Sequence, residues 1–472
     1  MDRCIVFRLT AILIAGSYVN STAWDKPNIV IILADDLGWG ATSYHSNFAE
    51  TPNIDRFVKT GIELDRFYVA PMCSPTRAGL LTGRYPIRFG LARSVIPPQR
   101  NFGLPVSELT LPRALAKSGY QRLGIFGKWH LGHHQIQWHP LSRGFTHFEG
   151  HYNGAIDYFD LTREGEKDWH QGFQPSDKTG YATDLITAAA TKFITDSAKE
   201  KSPYFCYIPF NAPHSPFQAK PSDVKRYAEN GVPKPVETLK AMIWSMDQGV
   251  GKILRAIEQS GESSNTQVWF FSDNGGVKQF KPNNRPLRGS KLTTFEGGIR
   301  VVAGVRWPSK WKGKRKIENV MGYIDVMPTI LASIGSDPGK SQRPQQPFDG
   351  VNLDPLFSGQ KTRIGERDWF SYHGQRGEQD ETISVKSNRW KLIVNGPSLQ
   401  KHSIDSSHQV FLFDIAKDPH EKNNISDRHP KIVAQLAKKL IQHRQLQPKN
   451  AVPSYGVNKE GFTPWKNWNI KH

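Results

Sequence analysis

The sequence predicts an α/β fold: a large domain with a mostly parallel central sheet flanked by helices, followed by a small C-terminal α+β subdomain with an antiparallel sheet. Three observations predict it. Four short apolar runs, 27–34, 121–126, 204–210 and 267–272, lack helical periodicity and read as strands buried on both faces, as in a parallel sheet. Between the last two, Leu239, Met242, Ile243, Met246, Val250, Ile253, Leu254 and Ile257 recur at three- and four-residue spacing, one apolar stripe fit to pack on a sheet. Beyond a Pro-, Gly- and Gln-rich stretch at 335–355, residues 389–394 and 410–414 read as antiparallel strands and 432–441 as a covering helix.

The elements follow in order. Met1–Arg3 is a short basic region, an apolar run interrupted by Arg8 follows, and Ser21-Thr22-Ala23 offers the small residues of a signal-peptidase site. The division expected is a signal peptide at 1–23, a catalytic domain at 24–374 and a C-terminal subdomain at 375–472, with the protein exported and no stable membrane insertion, since the rest of the chain has no apolar run of about 18 residues. Residues 181–198 form a second, weaker helical segment, and Trp369–His373 reads as a returning strand. The formal net charge of +19 favours an anionic partner, and the scattered lysines and arginines without a recognition motif argue against nucleic acid. With Cys4 in the leader, only Cys73 and Cys206 remain, which excludes a disulfide framework; Cys206 sits in an apolar strand as a small hydrophobe.

Each predicted strand delivers polar groups at its carboxyl end, where open α/β sheets bind ligands. Asp35 and Asp36 follow the first strand, Lys128 and His130 the second, His214 the third, Asp273 and Asn274 the fourth. Paired carboxylates at two buried strand ends call for a hard divalent cation, Ca²⁺ or Mg²⁺, and the lack of Cys/His spacing argues against structural zinc. In PMCSPTRAGLLTGR, Ser74 is a suitable N-cap, Pro75 fits the first helical position and Gly83 a stop, so a short helix is expected over 76–82. Cys73 then sits at a helix N-terminus with Arg77 one turn in, the setting of an activated nucleophile beside an anion site. Lys291 lies in a glycine-punctuated loop suited to close approach of a ligand. The Gly-, His- and Tyr-rich segment 149–157 is a candidate substrate wall on position alone.

These residues resemble a known family. Cys73-Ser74-Pro75-Thr76-Arg77 with Leu81-Thr82-Gly83-Arg84 looks like the signature of type I sulfatases, and Gly127-Lys128-Trp129-His130-Leu131-Gly132, Ala212-Pro213-His214, Ser272-Asp273-Asn274-Gly275 and the segment 288–300 match family blocks in the family's order. The resemblance implies an alkaline-phosphatase-like fold and a Cys73 oxidised to formylglycine by a separate maturation enzyme. It implies one Ca²⁺ held by Asp35, Asp36, Asp273, Asn274 and the modified Cys73. It assigns Arg77, Lys128 and His130 to orienting the aldehyde hydrate and stabilising its charge, and Lys291 and His214, with Lys128, to binding sulfate and protonating the leaving oxygen.

The stretches 83–91, 94–97, 143–145 and 157–159 resemble the branch containing arylsulfatase B, N-acetylgalactosamine-4-sulfatases and bacterial carrageenan sulfatases. The implied substrate is a 4-O-sulfate on a galactose or N-acetylgalactosamine residue of a sulfated polysaccharide, carrageenan first and chondroitin or dermatan sulfate second. The chain lacks the paired cysteines of animal members, which favours a bacterial enzyme in the periplasm or secreted. Two alternatives stand beside this reading: a phosphonate monoester or phosphodiester hydrolase of the same superfamily, and a non-catalytic polyanion-binding protein.

Overall fold

The computed structural model describes residues 26–228, 234–337, 346–387, 389–400 and 403–470; the expected signal peptide, 1–23, lies outside them. The large sheet contains β1 (Asn28–Ala34), β2 (Ile62–Leu64), β3 (Arg122–Lys128), β4 (His147–His151), β5 (His170–Gln171), β6 (Gln174–Pro175), β7 (Tyr204–Pro209), β8 (Thr266–Ser272), β9 (Ala303–Arg306) and β10 (Arg315–Ile317). Their order is β10-β2-β9-β8-β1-β7-β3-β4-β5-β6. The central five, β8-β1-β7-β3-β4, are all parallel, with Ile31 in register with Tyr207 on one side and Trp269 on the other.

The apolar run Ile29–Ala34 of β1 follows from its place: every residue of the strand is buried. Val30, Ile32 and Ala34 face the cluster formed with α3 (Ala182–Lys199) and α4 (Lys234–Gln259), including Ile186, Met242 and Met246. Ile29, Ile31 and Leu33 face the opposite cluster, which contains Leu80 and Leu81 of α2 (Cys73–Thr82) and Tyr323. All eight stripe residues predicted for α4 are buried. The added strands β9, β2 and β5 run antiparallel to their inner neighbours and are two to four residues long. Their pairing comes from tertiary contact, which a local pattern of that length does not encode.

The C-terminal sheet has four antiparallel strands, β11 (Asp368–His373), β12 (Glu381–Ser387), β13 (Trp390–Gly396) and β14 (Gln409–Asp414), covered by α5 (Pro430–Arg444). The returning strand β11 belongs to this sheet, and Ile383, Val385 and Leu392 share an apolar cluster with α2. A buried cation ties this sheet to the large domain: Lys391 Nζ on β13 lies 2.8 Å from Glu296, which opens the short helix Glu296–Ile299, and 2.8 Å from Glu421.

Candidate active site

Four distant segments meet beyond the carboxyl ends of β1, β3, β7 and β8. The backbone joins them first: Asp35 N donates to Ala212 O at 3.0 Å and Asp273 N to Ala34 O at 2.9 Å. Side chains then close the cluster. Asp36 N donates to Asp273 Oδ1 at 3.3 Å, Asn274 Nδ2 donates to Asp36 Oδ1 at 2.7 Å, and Leu37 N donates to Ser272 Oγ at 3.0 Å. Asp36 holds a left-handed backbone, φ 68°, as does His130, φ 57°; such conformations cost energy and collect at functional sites.

Three fixed cations face these carboxylates. Arg77, fully buried, donates from Nε and Nη2 to Asp273 Oδ2 at 3.1 and 2.7 Å and from Nη1 to Lys128 O at 2.9 Å. Lys128 Nζ contacts Asp35 Oδ2, and Lys291 Nζ lies 2.8 Å from Asp36 Oδ1. Burial raises the Asp35 carboxyl, but Lys128, His214 and Arg77 outweigh it and hold Asp35 below the usual range. Asp273 moves the other way, pushed up by burial and then by the charge of Asp35. Two acids split in this manner when too little positive charge lies between them.

The donor set fits a hard divalent cation. Asp35 Oδ1 and Asn274 Oδ1 are buried oxygens without a hydrogen-bond partner among the described residues. Ligand atoms of Asp35, Asp273 and Cys73 lie within 4.8 Å of one another, as do those of Asp35, Asp36 and His214. Carboxylate and amide oxygens are what Ca²⁺ and Mg²⁺ require.

Cys73 opens α2, and Gly83 closes it in the left-handed conformation, φ 68°. The capping expectation is corrected. Met72 occupies the N-cap position without a side-chain bond, and Ser74 lies inside the first turn, where its hydroxyl donates to His130 O at 2.9 Å and accepts from Ile96 N at 3.2 Å. The helix thus carries a tie between two active-site loops where a cap was predicted. Burial raises the Cys73 thiol, against the pull of Lys128 and Lys291. Cys206 is likewise a free, buried thiol.

Cys73, His130, His214 and Lys291 line a cavity of about 530 Å³, while Arg77, Lys128 and the acids stand behind it. His214 donates from Nδ1 to Ser215 O at 2.7 Å and keeps Nε2 3.7 Å from Asp36 Oδ2. Burial, then Lys291, lower its pKa to about 4. His130 donates from Nε2 to Ile96 O at 3.1 Å and is held well below the imidazole range by burial, Lys128 and Arg77. All ten sequence-predicted site residues are therefore in one cluster. Within the predicted wall 149–157, residues Gly154–Asp157 line the cavity. A Cβ on Gly154 would lie 2.4 Å from His130 Cε1, so this glycine lets the ring sit where it does. Arg163, Gln375 and Tyr455 also line the cavity and were not anticipated; single residues from three remote segments carry no local signal.

Comparison with known proteins identifies the class. Residues 27–336 match the family model described as Sulfatase, and residues 290–446 match the one described as N-sulphoglucosamine sulphohydrolase, C-terminal. The chain belongs to the sulfatase family and is a sulfuric ester hydrolase, of a family that works with a formylglycine and a divalent metal. It is 34% identical to N-acetylgalactosamine-6-sulfatase of Canis lupus familiaris over 97% of this chain and 93% of that one. It is 28% identical to arylsulfatase J of Mus musculus over 93% of this chain and 80% of that one. Among solved structures, Ps i-CgsB in complex with k-i-k-neocarrahexaose superposes with a TM-score of 0.81 at 28% identity, covering 92% of this chain and 96% of that one. A phosphonate monoester hydrolase of Agrobacterium radiobacter, at 18% identity and TM-score 0.61 over 90% of this chain and 96% of that one, shares the fold. Among the described residues no helix is long and apolar enough to cross a membrane.

Proposed function

We propose that this sulfatase removes an O-sulfate from a galacto-configured sugar of a sulfated polysaccharide, the 4-O-sulfate of carrageenan first and of N-acetylgalactosamine in chondroitin or dermatan sulfate second. The observation that carries the chemistry is the convergence of three carboxylates, three fixed cations and two histidines on Cys73. The carrageenan reading rests on the likeness to Ps i-CgsB, solved with a neocarrahexaose. A second reading, 6-O-sulfate, is favoured by the relatives named N-acetylgalactosamine-6-sulfatase at 30–34% identity.

Asp35, Asp36, Asp273 and Asn274 would hold Ca²⁺, with residue 73 beside it. When bound, the ion supplies Lewis-acid polarisation of sulfate oxygens, and formylglycine at 73, made by a separate maturation enzyme, supplies a hydrated aldehyde as nucleophile. The chain's own groups do the rest. Arg77 fixes Asp273 and the Lys128 backbone, so it positions the acids and the Lys128 strand end together. Lys291 and Lys128 place positive charge where the equatorial sulfate oxygens gain negative charge. His214, neutral at rest, gains a reason to protonate when an anionic ester sits beside Nε2, and can then protonate the departing sugar oxygen, a contribution of about 10²–10⁴-fold in rate. His130, neutral and anchored through Nε2, offers Nδ1 as the acceptor for a proton from residue 73. Export and a bacterial, periplasmic or secreted setting rest on the leader pattern and the missing cysteine pairs.

Incubating the matured protein with carrageenan and chondroitin sulfate oligosaccharides, measuring sulfate by ion chromatography and locating the desulfated carbon by NMR, tests the reading. Release from the galacto-configured 4-position is expected; release from the 6-position alone selects the second reading. Phosphate release from p-nitrophenyl phosphate outrunning sulfate release from every substrate would assign the chain to the phosphonate and phosphodiester hydrolases.

A further inference from the structure

The outer wall of the catalytic cavity is built in part by chain that neither family match reaches. Those matches end at residues 336 and 446, yet Tyr455 lines the cavity with Cys73, His214 and Lys291. Its ring packs on the small apolar cluster of Met72, Cys73 and Val95. The segment around it has little regular structure and is held by bonds to other loops. Tyr455 N donates to Gln375 O at 2.9 Å, Gln99 Nε2 to Tyr455 O at 3.0 Å, and Arg100 Nη2 to Ser454 O at 2.8 Å. Further on, Asn467 N donates to Glu166 Oε2 at 2.8 Å and Trp468 Nε1 to Arg163 O at 2.9 Å. The C-terminal segment therefore fixes both Tyr455 and the hairpin that carries Arg163.

Among the described residues lining the cavity, only Lys291 and Arg163 carry a fixed positive charge. Lys291 is engaged with Asp36 at the sulfate end. Arg163 has its Nε buried without a hydrogen-bond partner, and its ion pair is with the neighbouring Glu164 at 3.0 Å, whose side chain is 48% exposed. An ion pair with so exposed an acid contributes little and yields readily to a better anion. A planar guanidinium is suited to a sulfate or carboxylate, and an aromatic face to the C–H side of a pyranose.

We propose that Tyr455 and Arg163 form a second subsite, which takes the sugar next to the one bearing the scissile sulfate: Tyr455 lies against its ring and Arg163 pairs with an anionic group on it. The inference rests on the sulfatase reading and deepens it. The substrate is then an oligosaccharide with anionic groups on adjacent residues, and a sulfated monosaccharide fills half the site.

The test compares kcat/KM of the matured protein and of Tyr455→Ala and Arg163→Gln on three probes: galactose 4-sulfate, an ι-carrageenan tetrasaccharide with a sulfated adjacent residue, and a chondroitin-4-sulfate tetrasaccharide with a carboxylated one. The preference for tetrasaccharide over monosaccharide should fall about tenfold in Tyr455→Ala and about ten- to a hundredfold in Arg163→Gln. A fall on the ι-carrageenan probe assigns the anion as sulfate, a fall on the chondroitin probe as carboxylate. Calorimetric binding of the same tetrasaccharides to Cys73→Ser protein, with and without each substitution, supplies the answer independently of turnover, and thermal midpoints certify folding. A preference and an affinity unchanged within twofold on both tetrasaccharides would overturn the subsite and leave the sulfatase reading standing. Absence of sulfate release from all three probes by the unsubstituted matured protein would overturn the 4-O-sulfate reading and, with it, the subsite argued for that substrate.

Discussion

Replacing Arg77 by Met removes the buried cation while nearly keeping its volume. Arg77 and Asp273 are both fully shielded from solvent, and three hydrogen bonds run from the guanidinium, two to Asp273 Oδ2 and one to Lys128 O. Arg77 Nη2 also lies 3.5 Å from Asp35 Oδ2. Removing one partner of a buried ion pair leaves the other charge uncompensated, a loss of about 3–5 kcal/mol. Lys128 and Lys291 face Asp35 and Asp36, so neither replaces the two donors lost by Asp273. Urea unfolding of the metal-free protein should therefore show Arg77→Met less stable by that amount. Arg77→Lys, which keeps the charge but not the fork, should fall between the two. A difference under about 1 kcal/mol for Arg77→Met would refute the reasoning, because a solvated or loosely held pair is worth no more than that.

Three further outcomes follow from the same geometry. Removing divalent ions with a chelator should lower the thermal midpoint, and Ca²⁺ at about 100 times its Kd should restore about 2.7 kcal/mol in wild type but not in Asp273→Asn; equal restoration in both would contradict the assigned ligands. Gly154→Ala should cut kcat about tenfold or more by displacing the His130 ring, 2.4 Å from the new Cβ, with little change in thermal midpoint; an unaltered kcat would free Gly154 from that role. Asp65 accepts from Arg300 at 2.7 Å and lies 2.9 Å from Lys316; burial raises its carboxyl, and those two cations lower it below its ordinary value. Its contribution, about 1–3 kcal/mol, is complete above that value and lost as pH falls below it. The stability gap to Asp65→Asn should shrink there, and a gap constant with pH would contradict the pairing.

The elements that read directly from the sequence are those whose environment is uniform along the strand or helix. β1 is apolar from Ile29 to Ala34 because helices cover one face and α2 with its neighbours the other. α4 shows its stripe because only one side meets the sheet. Most of the site residues were placed for a related reason: Asp35, Asp36, Lys128, Asp273 and Asn274 stand at the ends of buried strands and Cys73 opens a helix, while Lys291 and His214 lie in loops marked only by their glycines and prolines. Chemistry that depends on contact was less legible. The helix-start position of Cys73 suggested a reactive thiol, but sequence does not show its burial or the acids Asp35 and Asp273 beside it, which raise the thiol against Lys128 and Lys291. Ser74 looked like a cap because sequence cannot show that His130 O and Ile96 N compete for its hydroxyl. Arg163 and Tyr455 could not be found at all, since they are brought to the cavity by bonds between segments more than 300 residues apart, as from Trp468 to Arg163, 305 residues.

The central claim is that residue 73, once converted from cysteine, performs sulfate ester hydrolysis inside this cluster. Its most direct test measures sulfate release against the fraction of formylglycine in the residue 67–77 peptide, determined by mass spectrometry over preparations of graded maturation. Activity should rise in proportion to that fraction and extrapolate to zero for the wholly thiol form. Equal sulfate release by Cys73→Ala, or none by fully converted protein on any sulfated galacto-configured substrate, would contradict the account.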